Sequence, residues 1–428
     1  MPRRLAIRLL IAWLAWIPLA SAQGPGPQGP SGPGFPGMSQ AGGPYAGPAG
    51  PSGYQLQPSL YEQLLPASRT SYYDPDALVD LGIGETLSRS WLRTEYLYMT
   101  YRDPGSQFLG ATPLVVPPAT FDPNAFFQAQ DQNGARAGVL GRLVSLRGAD
   151  NRGLNGLRMT VGIPTQLFTW ETSGFGIGQS VNKLSNPTFQ DVNSQQLLIV
   201  IPAIPVTRDG VPSDKDFILF DQGLDVRISS NLQAVDSKLV FGAFTPNLAT
   251  EVAPILGFNY VHFGNQMLIR GNDSGINGTT NTAHRVDSRA NNNIFGPELG
   301  LRMETRSKWV TLGFEPKFTF GINRISNHLS THQLVTSTVD EPDLAAKGTL
   351  TRFAPVIELG TYARFRLAEH VSLSIGYQFM AMPSVSFSQD NVVWNTSVVP
   401  TTLPLLGLSQ NRNNFWAHGA NVGIQWQF

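Results

Sequence analysis

From about residue 90 the chain alternates apolar with small or polar residues, one for one, which is the period of a β-strand. Val371, Leu373, Ile375, Tyr377 and Phe379 interleave with Ser372, Ser374, Gly376 and Gln378, and Val422, Ile424, Trp426 and Phe428 with Asn421, Gly423, Gln425 and Gln427. Two further runs behave alike: Val310, Leu312, Phe314, Phe318, Phe320 and Ile322, and Leu157, Met159, Val161 and Ile163. Soluble sandwich strands run ~5–6 residues, whereas transmembrane barrel strands need ~9–11 tilted residues with the apolar face outward. The longer runs favour the barrel.

The opposite face of these segments is polar and glycine-rich, and it brings opposite charges together. Arg93, Glu95, Arg158, Glu298, Arg302, Glu304, Glu315, Lys317, Glu358, Arg364 and Arg366 are the candidates to line a narrow lumen. Trp91, Trp309, Phe415 and Trp416 fall near strand ends, where girdle aromatics meet the headgroups. The chain ends inside an alternating strand, and Trp426 with Phe428 resembles the C-terminal assembly signal of outer-membrane barrels. In a soluble protein such an end would be an exposed sticky edge.

Strand candidates lie near 90–102, 136–147, 155–164, 166–178, 226–244, 252–270, 294–305, 308–325, 352–367, 370–388, 390–399 and 414–428. The expected fold is all-β, a closed antiparallel transmembrane barrel of twelve strands, with ten or fourteen as alternatives because such barrels have even numbers. Segments 103–134, 179–225, 271–293, 326–351 and 389–413 read as long extracellular loops, and Glu304 to Lys308 and Ala368 to His370 as short periplasmic turns. A lumen of this width could be partly occluded by side chains or by an inward-folded loop such as 179–225.

Composition changes the picture in three ways. The absence of cysteine excludes disulfide scaffolds, thiolate metal sites and lipid attachment at a lipoprotein cysteine. The 30 basic and 30 acidic side chains give no electrostatic case for nucleic acid. A charged fraction of 14% and mean hydropathy of −0.09 are what averaging an apolar lipid face with a polar, glycine-rich lumen yields.

The N-terminus reads as processing and tether. Arg3, Arg4 and Arg8 precede an apolar stretch from Leu9 to Leu19 and a small-residue site, Ala20-Ser21-Ala22, so residues 1–22 are expected to be a cleaved signal peptide. Without it the chain carries a net charge of −3. Residues 23–53 are a Gly/Pro-rich disordered linker that could touch peptidoglycan or a partner; Phe35 breaks any collagen register. Residues 54–89 form a transition segment, a periplasmic helix or plug, before the barrel of 90–428.

Several blocks carry a resemblance. Trp91 to Leu97, Leu256 to Phe263, Phe295 to Glu304 followed by Trp309, Phe353 to Gly360 leading to Gly376-Tyr377-Gln378-Phe379, and Asn414 to Gly423 resemble, in order, the putative beta-barrel porin family seven. That family is abundant in planctomycete-type bacteria. The resemblance implies an outer-membrane barrel, with arginine expected where this chain has Asn259. No catalytic residue is implied.

Catalytic patterns are weak. His328 and His332 stand at i,i+4 without the Glu of a zincin, Asp273-Ser274-Gly275 has no second copy to form a carboxylate dyad, and Asp131 to Gly134 lacks the later ligands of a calcium loop. His262 and His418 read as girdle or lumen positions. The expected protein is therefore not an enzyme and needs no cofactor or metal. It is a porin-like passive channel in the cell outer membrane, reached by export, with weak ion selectivity from interspersed signs. Its partners are outer-membrane lipid, the barrel assembly machinery and small solutes. A non-conducting structural or surface-anchoring barrel is the alternative, and a barrel hydrolase a third.

Overall fold

The computed structural model describes residues 89–428 apart from 105–106, 112–126, 132–133, 194–195, 209–210, 246–248, 275–281, 335–342 and 397–405. The expected signal peptide and linker, and the transition segment up to residue 88, lie outside the described residues. Ten strands close into an up-and-down antiparallel barrel, each pairing with its neighbours in the chain. They are β1 (Trp91–Tyr101), β2 (Leu154–Pro164), β3 (Phe168–Asn186), β4 (Leu224–Phe241), β5 (Thr250–Asp273) and β6 (Thr282–Arg306). After them come β7 (Val310–Thr319, continued in line by Ile322–His332), β8 (Leu344–Phe353 continued by Val356–Arg366), β9 (Val371–Val385) and β10 (Asn413–Gln427). Closure is between β1 and β10, from Trp91 opposite Gln427 to Tyr101 opposite Ala417. Closing the ring pairs the strands edge to edge through the lipid-facing half, which an open sheet in lipid could not do. Above it the Leu344–Phe353 part of β8 pairs with β7 but not with β9.

The barrel therefore has ten strands rather than twelve. The expected strands near 136–147 and 390–399 belong elsewhere. Gly134–Leu143 pairs in parallel with Gln196–Arg208, and Asn395–Thr396 pairs in parallel with the end of that same strand, in a separate sheet outside the ring. Alternation reports that one face of a strand is buried, not what buries it.

Tight connections gather at one end, where β1 begins and β10 finishes: Pro164 to Phe168, Arg306 to Val310 and Arg366 to Val371 are closed by hydrogen bonds from Thr165 N–H to Phe168 O (2.8 Å), Ser307 N–H to Val310 O (2.8 Å) and Leu367 N–H to Val371 O (3.0 Å). The β4–β5 connection, 242–249, also lies at this end and matches 274–281 in length, and the remaining longer connections leave the opposite, loop end.

Polarity along the strands inverts partway up. In the turn-end half of β6 the outward side chains are Met303, Leu301, Leu299 and Phe295, and the inward ones Glu304, Arg302 and Glu298. In its loop-end half the outward ones are Asn293, Asn291, Arg289 and Arg285, while Ile294, Ala290 and Val286 turn inward and are buried. The same switch runs through β7, where outward Phe314, Phe320 and Ile322 give way to Arg324 and Ser326 as inward Glu315 and Lys317 give way to Ile325 and Leu329. At about 2.5 Å of height per residue for a tilted strand, the apolar outer stretch from Phe295 to Met303 spans roughly 20 Å, close to the ~25 Å of a lipid-facing band.

Inside the loop-end half the barrel is packed. Leu97, Met99, Tyr101, Leu232, Val261, Phe263, Met380, Met382, Phe387 and Phe415 form one buried cluster. Phe263 lies 4.4 Å from Phe415 and 5.5 Å from Phe387 between ring centroids. Above it, loop residues Leu109, Leu146, Ile204, Phe220, Val392 and Trp394 share a second core with inward Ile228, Met267 and Leu329 of the wall. The loops after β1, β3 and β9 thus form a folded cap on the barrel.

Candidate functional site

The barrel interior holds the chemistry, in two stacked parts. In the turn-end half, alternation aims charged side chains from seven strands at one another. Arg302 of β6 forks onto Glu171 of β3, Nη1 to Oε1 at 2.6 Å and Nη2 to Oε2 at 2.7 Å, and its Nε donates to Glu315 of β7 at 2.9 Å. Lys238 of β4 bonds Glu315 and stands 3.7 Å from Glu171. Lys317 bridges Glu358 at 2.8 Å and Glu298 at 3.3 Å. Tyr362 donates to Glu304 at 2.6 Å, and Arg364 lies 3.7 Å from the same carboxylate. On the β1 side Glu95 accepts from Asn421 at 2.6 Å, with Arg93 at 3.5 Å and Arg158 at 3.8 Å.

Burying charges is costly unless each is paired and hydrogen-bonded, and here most have two or more partners drawn from different strands. The bidentate fork uses the planar guanidinium in a way Lys could not. Glycines make room for the inward rings: Gly313 lies under the Tyr362 ring and Gly162 under Trp91, where any Cβ would collide.

Of the lumen candidates read from sequence, Arg93, Glu95, Arg158, Glu298, Arg302, Glu304, Glu315, Lys317, Glu358 and Arg364 lie in this cluster, whereas Arg366 is exposed at the turn-end rim. Glu171, Asp236, Lys238 and Tyr362 complete it and were not singled out from sequence. The signal was available, because Glu171 and Ser173 alternate with Trp170 and Thr172 as the other inward residues do. Asn259, standing where arginine was expected, donates to Glu358 at 2.9 Å and to Thr319 at 3.2 Å. At the turn end a cavity of about 310 Å³ is lined by Trp91, Glu171, Glu251, Arg302, Glu304 and Arg364 among others.

The second part is a seal. The segment after β9 dips into the barrel and is held by side chains of the wall. Asn292 of β6 donates Nδ2 to Ser386 O at 2.9 Å and accepts Ser386 N–H at 2.8 Å. Asn265 of β5 accepts Ser388 N–H at 2.8 Å, and Ser288 donates to Ser388 O at 2.7 Å. Asn323 of β7 donates to Asn292 at 3.1 Å and to Ser384 O at 3.3 Å. The backbone of Ser386 and Ser388 is thereby satisfied away from water, which lets Phe387 sit between them in the apolar cluster. The inward-folded element is this segment of 384–394, whereas the 187–223 connection contributes to the cap.

Two girdle expectations change. Phe415 is 1% exposed and packs on Tyr101 and Phe263 inside the barrel, because odd positions of β10 face inward. Trp91 shares the inner face with Arg93, whose guanidinium lies 5.3 Å from the Trp91 ring. Trp309, Trp416, Trp426 and Phe428 are outward and exposed. Near Trp416, His418 stacks on its ring and bonds the Tyr377 hydroxyl at 2.6 Å, while His262 pairs with Asn293 at 3.0 Å.

The catalytic patterns do not assemble. His328 and His332 lie on a strand, where i,i+4 positions are about 13 Å apart, and His332 binds Asp343. Ser274 N–H bonds Asp221 at 2.9 Å. Among the described residues no group of three His, Asp or Glu side chains is placed to hold a metal.

A family model described as Putative beta barrel porin-7 matches residues 91–428. No curated protein matches the chain. Among solved structures the chain is similar to the outer membrane protease OmpT from Escherichia coli, with 7% identity, 80% of this chain and 98% of that chain covered, and a TM-score of 0.42. It is also similar to the Pseudomonas putida toluene transporter TodX, with 8% identity, 79% and 90% coverage and a TM-score of 0.24. A third likeness is to the CymD monoaromatic hydrocarbon channel, with 7% identity, 84% and 92% coverage and a TM-score of 0.21.

Proposed function

The chain belongs to the Putative beta barrel porin-7 family, and from that premise we propose an outer-membrane barrel that is closed at rest and holds a folded cap at the cell surface. Short turns face the periplasm in such barrels and long loops the exterior, so the charged half opens inward and the cap outward. The observation that carries this reading is the inserted Ser386-Phe387-Ser388 segment, whose main chain is bonded to Asn292, Asn265 and Ser288 in the middle of an apolar cluster. A ten-strand ring is little wider than an eight-strand one that side chains already fill. The proposed role is structural and anchoring, with no catalysis. Planar-bilayer recording of the refolded, heat-modifiable protein tests it: no single-channel steps are expected, and regular steps from the unmodified chain would overturn it.

A gated passive channel is the second reading. It is supported by the two-signed charged half, which a purely apolar-filled scaffold would not need and which would give weak ion selectivity once the seal moved. Removing the seal's anchors in an Asn265→Ala/Asn292→Ala variant separates the two. Steps that appear only in that variant favour the gated channel, and a variant as silent as the parent favours the anchor.

A further inference from the structure

The charged patch that neither reading uses lies on the outside of the wall, just above the lipid-facing band. Outward side chains there include Lys183 of β3, Arg227 of β4, Arg270 of β5, Arg285 and Arg289 of β6, and Lys347 of β8, all exposed. Their register is unusual for a merely solvated surface. Lys183 stands directly across from Arg227, and Arg270 directly across from Arg285, in antiparallel pairs. His328 separates Arg289 from Lys347 in one cross-strand row.

Like charges directly opposite one another on the same face destabilise a sheet. Two acids offset part of this on β4 and β6, and the Lys183–Arg227 pair faces neither. Asp287 is buried and already binds Arg289 at 2.8 Å, with Arg285 at 3.5 Å, and Asp225, across from Arg270, accepts a hydrogen bond from Ser185 at 2.7 Å.

The patch is also one-sided. The outward positions near the loop ends of β9, β10, β1 and β2 are Ala381, Asn414, Thr100 and Asn155, and Arg102, just past β1, is bonded to Asn413 and to the main chain of Asn414. Arg324, two residues above the last apolar outward residue Ile322, stands about 5 Å over the band's edge, and Arg289, six above Phe295, about 15 Å. These are the depths of lipid phosphates and of the sugars attached to them.

We propose that this face of β3–β8 binds the phosphorylated headgroup of a glycolipid of the outer leaflet, a polyanion that relieves the like-charge pairs. The inference rests on the barrel spanning the outer membrane with its cap outside.

The test uses the full refolded chain in dodecyl maltoside, titrated with diphosphorylated lipid A, with the same lipid after dephosphorylation, and with inorganic phosphate. Lipid A is expected to bind in a salt-sensitive manner. The Arg227→Gln/Arg270→Gln/Lys347→Gln variant should bind it about 100-fold more weakly, since each surface cation contributes roughly fivefold. The Arg227→Lys/Arg270→Lys variant should retain binding. Equal binding of lipid A by the parent and the triple variant, or of lipid A and its dephosphorylated form by the parent, overturns the lipid contact. Inorganic phosphate matching lipid A overturns the membrane source. A parent chain that shows no heat-modifiable migration overturns the barrel reading beneath it, a result distinct from a heat-modifiable barrel that ignores the phosphates.

Discussion

The two halves of a single strand such as β6 differ more than two separate proteins often do. Near the turns its outer face is Leu299 and Leu301 and its inner face Glu298 and Arg302; fourteen residues closer to its start the outer face is Arg285 and the inner face Val286 and Ser288. The backbone and the period are the same in both. What changes is the medium outside the wall, hydrocarbon in one half and water in the other, and the interior responds oppositely. In lipid the polar residues have no outside to face, so they are spent inside on ion pairs; in water the outside takes the charges and the inside can close by apolar packing.

The comparison breaks first in the charged half. Replacing Arg302 by Leu strands the buried carboxylates of Glu171 and Glu315, and stability in lipid vesicles, read by urea titration, is expected to fall by about 3–5 kcal/mol. Removing the ring of Phe415 attacks the other half: Phe415→Ala should cost about 3–5 kcal/mol as a cavity opens among Tyr101, Phe263 and Phe387. An outer-face residue at a girdle would not cost so much. A matched pair then sharpens the contrast. Leu299→Arg, facing hydrocarbon, should lose about 2–4 kcal/mol, while Asn291→Arg, on the same face of β6 above the band, should change stability by about 0.5 kcal/mol or less. Last, Asn292→Ala leaves the buried main chain of Ser386 without its partner and should cost about 1–3 kcal/mol, measured in the same titration.

Much of the barrel was legible from alternation alone. The strands expected at 155–164 and 370–388 coincide closely with β2 and β9, and opposite charges on the non-lipid parity pointed to the residues that meet inside. By contrast, β7 runs on to His332 and β8 begins at Leu344, both within the 326–351 segment expected as a loop, because exposed polar residues such as Ser326 and Thr349 make these stretches look solvated. Other parts were not. Segment 136–147 has a strand's pattern because the cap sheet buries it as surely as lipid would, so counting patterns overcounts the ring. Phe415 was misplaced because alternation fixes parity but not which parity is inward, and in the loop-end half the apolar parity is the inner one. A trace of that inversion does stand in the sequence. Apolar residues occupy even positions at Val286, Ala290 and Ile294 and odd positions at Phe295, Leu299 and Leu301, a phase slip between adjacent residues with no turn to cause it. The same slip explains why 271–293 resembles a loop: with its outer face full of Asn, Asp and Arg, the strand looks solvated. The seal was hidden for a different reason, since Asn265, Ser288 and Asn292 pair with a segment about a hundred residues away.

The chain has no cysteine, so a single introduced thiol is a unique reporter. The most direct test labels such thiols along β6 with a small, charged, water-soluble methanethiosulfonate and, separately, with a lipid-soluble maleimide, on the protein folded in bilayers. Arg289→Cys should react with the water-soluble reagent, Phe295→Cys and Leu299→Cys with the lipid-soluble one, and Ala290→Cys and Ile294→Cys with neither. If Ala290→Cys and Ile294→Cys instead react with the water-soluble reagent as fast as Arg289→Cys, the loop-end half holds an open aqueous lumen and the sealed, inverted barrel is wrong.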